Sequence, residues 1–224
     1  MSNSPASEPP QGPRILLLAL ESQPWLDEMY SHLIDKLSTH ATIQRASTSD
    51  AAIRYLSANN PHTILATDPG LTNGSNSRVL DKVLTYVRSG GVLIFCCLFS
   101  SFVNRATFNK FMRSKLSFPW EFGEYHRVTV NLNERAALSS AANHHITRER
   151  LPQAYSQKAV HLKNVDNALS LYLPDRESAL DVAFYNRDQT PVAFQNLGQG
   201  SVGYIGDVNG EEGSDQVILA MCGF

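Results

Sequence analysis

Residues 86–101, YVRSGGVLIFCCLFSS, decide the fold. The segment 77–89 places Leu80, Val83, Leu84 and Val87 on one helical face, and Gly90 and Gly91 close that helix as C-terminal glycines do. An apolar run, Val92–Phe95, then reads as a strand buried on both faces. It runs into Cys96, Cys97 and two serines, and a second helical stripe follows at Phe108, Phe111, Met112 and Leu116. Helix, strand and helix in such short succession indicate a parallel sheet with helices against it.

The same alternation extends toward the N-terminus. Ile15–Leu20 is another continuous apolar strand. Ser22 is suited to cap a helix with Pro24 in its first turn, and Met29, Leu33 and Leu37 recur at helical spacing. A second strand is expected over 41–46 and a short helix capped by Asp50 after it. A third strand is expected over 62–70, ending in a Pro-Gly turn. From Phe118 the pattern changes. Strands are expected over 125–132 and 158–165, and a hairpin turning at Gly198-Gln199-Gly200 over 190–208, with Ser214 capping a final helix. The fold class is thus α/β: a parallel sheet flanked by helices, with antiparallel additions in the second half. Residues 1–13, polar and rich in Pro and Ser, read as a disordered arm, and 14–224 as one domain.

Composition removes several classes of function. The net charge of -2, with no run of either sign, lacks the basic footprint of a nucleic-acid partner. No apolar stretch approaches the roughly 20 residues of a membrane span, and the N-terminus has no signal-like apolar run. Three cysteines, two of them adjacent, fit neither a disulfide framework nor zinc spacing, which favours a reducing, cytoplasmic setting. No metal or cofactor motif is present. The Gly-Gln-Gly turn lacks the strand-then-helix setting of a dinucleotide fingerprint. The expected partner is a small-molecule ligand or substrate. A homodimer is compatible with the architecture, but no sequence feature specifies one.

Three segments carry a family resemblance: YVRSGGVLIF (86–95), HHITRERLPQAY (144–155) and TPVAFQNLGQGSVGYIGD (190–207). In order and spacing, over roughly residues 84–209, they resemble the ThuA-like (trehalose-utilisation-like) group of the class I glutamine amidotransferase-like superfamily. The resemblance implies a flavodoxin-like sheet with a pocket at the carboxyl ends of its strands, and any catalysis would be hydrolytic on a carbohydrate-related substrate. Two departures stand out. Cys96-Cys97-Leu98-Phe99 replaces a small turn after the central strand, and Lys158-Ala159-Val160-His161 replaces an acidic pair followed by an aromatic. The superfamily's late His-x-Glu is absent; the chain reads GDVNGEEGSD there, which argues against glutaminase activity.

Cys97 is the candidate nucleophile, with Glu21, Asp68 and His126 as acid or base partners. A nucleophile on a sharp turn needs small residues two positions away on either side, and Cys97 has Phe95 and Phe99 there. Glu21 and Asp68 suit helix or turn capping equally well. Trp120, Tyr125, His144 and His145 are the candidate ligand contacts. The alternative is a non-catalytic domain that binds a ligand or a protein and keeps the fold without the nucleophile turn.

Overall fold

Strands β1 (Arg14–Leu18) and β4 (Val92–Phe95) divide their side chains strictly between two faces. Ile15, Leu17, Val92 and Ile94 enter one apolar layer; Leu16, Leu18, Leu93 and Phe95 enter the other. A strand covered on both faces has no polar side to show, which is why its sequence is uninterrupted Leu, Ile, Val and Phe.

The computed structural model describes residues 12–21, 23–138, 140–141, 144–175 and 188–224, and no side chains at 140, 141, 144 and 145. Most of the N-terminal arm and Ser22 lie outside the described residues. Strands β2 (Thr42–Ala46), β3 (Thr63–Ala66) and β11 (Gly200–Ile205) join β1 and β4 in a parallel core. Their order, β2-β1-β3-β4-β11, is the doubly wound 2-1-3-4-5 arrangement. Strands β10 (Val192–Leu197), β9 (Ser170–Pro174), β5 (Glu121–Leu132) and β8 (Ala154–Lys163) extend it antiparallel beyond β11. Among the described residues the main sheet therefore has nine strands. A short hairpin, β6 (Ser140–Ala141) with β7 (His144–His145), stands apart from it.

One face of the sheet is covered by α1 (Leu26–Met29), α2 (Ser31–Ser38) and α7 (Glu212–Met221). The other is covered by α3 (Ser49–Ala58), α4 (Ser77–Arg88), α5 (Phe99–Phe102) and α6 (Arg105–Phe111), the last continuing as a π-helical turn through Leu116. Three local expectations change. Thr48, not Asp50, caps α3, its hydroxyl accepting the Ala51 N–H at 3.2 Å. Met29 is exposed and Tyr30 takes its buried place, because the backbone at Tyr30 leaves the helical region and separates α1 from α2. Glu211, not Ser214, occupies the N-cap of α7.

The β5–β8 ribbon positions the functional end of the molecule. Its middle crosses the end of β11: the Val160 N–H donates to Gly206 O (2.9 Å) and the Val208 N–H to Lys158 O (3.0 Å). The crossing is close enough that a Cβ at Gly206 would stand 1.9 Å from the Val160 carbonyl oxygen. Only glycine permits that approach. A buried chain of hydroxyls ties the layers together. Ser100 on α5 donates to Ile205 O (3.1 Å) and lies 3.2 Å from the Tyr204 hydroxyl, which donates to Val160 O (3.0 Å).

Candidate functional site

Because β1, β3, β4 and β11 are parallel, the loops that follow them gather at one end of the sheet. Open α/β sheets bind ligands there, where the strand order reverses. In this chain the reversal lies between β1 and β3. Asp68, just after β3, clasps the two loops: its carboxylate accepts the Glu21 N–H at 2.7 Å and the Gly70 N–H at 2.9 Å. It is buried, and burial pushes its carboxyl above the usual range against the pull of those two donors. Glu21 is exposed, and its carboxylate accepts from Asn73 Nδ2 at 3.5 Å. The expected acid partners are thus close in space, but one is committed to holding loops and the other faces solvent.

Cys97 departs from its sequence reading. Its backbone is left-handed, with φ of 57°, directly between β4 and α5. Bulky neighbours were expected to prevent such a turn. They do not, because Phe95 and Phe99 both point into the opposite layer, where their rings meet at 4.6 Å between centroids. The thiol itself is enclosed: Cys97 is 4% exposed and its Sγ lies 3.6 Å from Cys96 Sγ.

A second group, past the end of β11, gathers that sequence reasoning did not assemble. Asp207, immediately after β11, accepts the Asn209 N–H (2.7 Å) and the Glu211 N–H (2.8 Å). Burial, then a shared hydrogen bond with Glu211, pushes its carboxyl up to about 7. Burial opposes ionisation of Glu211 too, but Asp207 and Arg127, whose guanidinium donates to it at 2.8 Å, hold its carboxyl below the usual value. Two carboxyl groups with acidities driven apart mark a proton-sharing pair. Tyr30 completes the group, buried beneath Gly210, its hydroxyl without a hydrogen-bond partner. Burial and then the neighbouring Cys97 sulfur keep that phenol protonated. The sequence signal available was an aspartate closing the last parallel strand ahead of an Asn-Gly turn.

The remaining candidates separate. His126 lies on β5, its ring stacked on His161 at 4.1 Å and 3° between planes. Burial lowers the pKa of His126, and burial and then the His126 ring lower that of His161 to about 3. Tyr125 is exposed on the same ribbon with the Lys158 ammonium 5.1 Å from its ring centre. Trp120 is corrected: it is 1% exposed and packs on Phe118 in the core, so it presents no face to a ligand. His144 and His145 are placed only as backbone, in the β6–β7 hairpin. Among the described residues no group of three or more His, Cys, Asp or Glu gathers as a metal site would, and no helix is long and apolar enough to cross a membrane.

Exposed aromatics frame this end instead. Trp25, in the loop after β1, is 41% exposed and Phe102, on α5, is 49% exposed; their ring centres are 6.3 Å apart. Beside Trp25 a crevice of about 280 Å³ opens between Gln23, Asp27, Arg45 and Ser47. Its charge is balanced, because Arg45 pairs with Asp27.

No protein-family model matches the sequence, and no curated protein matches it either. Solved structures share its fold. A protein named ThuA-like from Bacteroides uniformis ATCC 8492 superposes with a TM-score of 0.55 at 9% identity, over 98% of this chain and 94% of that one. A second, from Parabacteroides merdae ATCC 43184, gives 0.53 at 13% identity over 95% and 88%. A β-galactosidase from the haloarchaeon Halorubrum lacusprofundi gives 0.54 at 15% identity over 94% of this chain but 29% of its own. Such identities speak for architecture and not for chemistry. The chain has the fold of the ThuA-like proteins.

Proposed function

We propose that this protein binds a small, uncharged, carbohydrate-related ligand at the carboxyl end of its parallel sheet. The observation that carries the reading is the Trp25–Phe102 pair, two large aromatic side chains left exposed and in mutual contact at the end where the strand order reverses. Aromatic faces stack on the C–H faces of sugar rings, and large aromatic side chains left exposed together mark a binding surface. The neighbouring polar groups, Gln23, Glu21 and Asn73, suit hydroxyl hydrogen bonds. Arg45, the cation beside the crevice, is already paired, which disfavours a phosphorylated ligand.

The chain has two tryptophans, one exposed and one buried, so Trp25 emission is a direct reporter. Titration with glucose, galactose and trehalose at millimolar concentrations is expected to quench and blue-shift it, and Phe102→Ala is expected to abolish the response. Emission unchanged by all three sugars, or a response that survives in Phe102→Ala, overturns the reading.

A second reading, hydrolysis through Cys97, rests on the left-handed backbone of that residue, the geometry a nucleophile turn requires. It needs an opening wide enough to bring a substrate to the thiol, and Cys97 is only 4% exposed. Iodoacetamide labelling of the folded protein separates the two: rapid, selective alkylation of Cys97 favours hydrolysis, and labelling only after unfolding favours binding alone.

A further inference from the structure

Neighbouring residues of an extended chain point to opposite faces. Cys96 and Cys97 do not. Both thiols lie in one buried layer, with their sulfurs 3.6 Å apart, and the left-handed backbone at Cys97 is what brings them together. Cys222, the third cysteine, is also buried, so it serves as an internal reference.

We propose that Cys96 and Cys97 form a vicinal dithiol site that a hydroperoxide oxidises to a disulfide within the native fold. Cys97, the less enclosed of the two, reacts first. Its thiolate attacks one peroxide oxygen, the O–O bond breaks, and an alcohol or water leaves after taking up a proton, so that Cys97 becomes a sulfenic acid. The Cys96 thiol then attacks the Cys97 sulfur. The S–S bond forms, the S–O bond breaks, and water leaves with the thiol proton. Each sulfur loses one electron and the peroxide gains two.

The product is a labile bridge. Consecutive Cα atoms lie about 3.8 Å apart, whereas disulfides usually span about 4.4–6.8 Å, so the ring is strained and readily reduced. Strained disulfides are the regulatory ones.

The test treats the folded protein with hydrogen peroxide, then denatures it in N-ethylmaleimide and digests it with trypsin. The peptide 89–105 carries both cysteines, and 188–224 carries Cys222 alone. The first is expected about 2 Da lighter than its dithiol form, for two hydrogens lost, with no maleimide on it until dithiothreitol restores both thiols. The second is expected to carry one maleimide throughout. Cys96→Ser is expected to stop at a sulfenic acid that dimedone captures. Two maleimides on 89–105 after peroxide, or sulfinic and sulfonic acids without the lighter peptide, overturn the proposal.

Discussion

Replacing His161 with Phe should change the response of stability to acid by an amount the structure sets. His161 is fully buried on β8 with its ring on that of His126, and its pKa falls from 6.5 to about 3. Between those values the unfolded chain binds a proton that the native chain refuses. Stability carried by this group is therefore intact above pH 6.5 and lost as pH falls toward 3, at about 1.4 kcal/mol per pH unit. From pH 6.5 to 4 the loss is about 3 kcal/mol. Asp207 has the opposite sign. Its carboxyl is raised from 3.8 to about 7, so the native chain holds a proton that the unfolded chain has released. That contribution is intact below pH 3.8 and lost as pH rises through 7, at a similar slope. Over pH 4–6.5 these two contributions nearly cancel. Phe at 161 keeps a ring against His126 and leaves nothing to protonate. Urea unfolding of the variant at pH 7, 6, 5 and 4, followed by far-UV circular dichroism, should show it gaining about 3 kcal/mol on the wild type across that range. Asp207→Asn should show the reverse, losing ground on acidification. Parallel pH curves for wild type and His161→Phe would refute the burial argument for the ribbon.

Two further substitutions probe how the functional end is held. Gly206→Ala places a Cβ against the Val160 carbonyl and forces the ribbon away from β11, so the denaturation midpoint in urea should fall by the equivalent of about 3 kcal/mol with an unchanged slope. Asp68→Ala leaves the Glu21 and Gly70 amides without their acceptor; a loss of roughly 2–4 kcal/mol is expected, with amide hydrogen exchange accelerated first at those two residues.

The first half of the fold is legible because its physics is local. Strands β1, β3 and β4 need apolar residues on both faces, and each helix between them shows one apolar stripe. The second half is less so. The segment SLYLP (170–174) is short and ends in proline, yet it is the strand that joins β10 to the ribbon, because pairing with β10 and β5 outweighs a weak local preference. The aromatic-rich segment at 118–126 could not reveal that Trp120 turns inward while Tyr125 turns outward, since β5 bulges between Phe122 and Tyr125. Cys97 is the clearest case. The rule of small flanking residues assumes that the flanks meet across the turn. Here Phe95 and Phe99 meet each other in the far layer, so the bulk that forbids a sharp turn in sequence packs it in space.

The same geometry weighs against a thiol hydrolase even though its turn is present. Such an enzyme needs a path to the sulfur wide enough for its substrate, a demand that a small hydroperoxide does not make, and Cys97 is 4% exposed. Cys97 points its thiol toward Cys96. Of the carboxyl groups that act on Tyr30, Asp207, raised to about 7, is only partly ionised at neutral pH, and Glu211 is held ionised by Arg127. The Trp25–Phe102 face carries no such conflict: it is open and needs no proton transfer to bind. Recognition at the rim and thiol chemistry beneath it are therefore separable, and a variant that loses one should keep the other. Phe102→Ala should still oxidise to the 96–97 bridge at the wild-type rate. If it does not, α5 couples the two, because the turn that sets Cys97 is the one that launches the helix bearing Phe102.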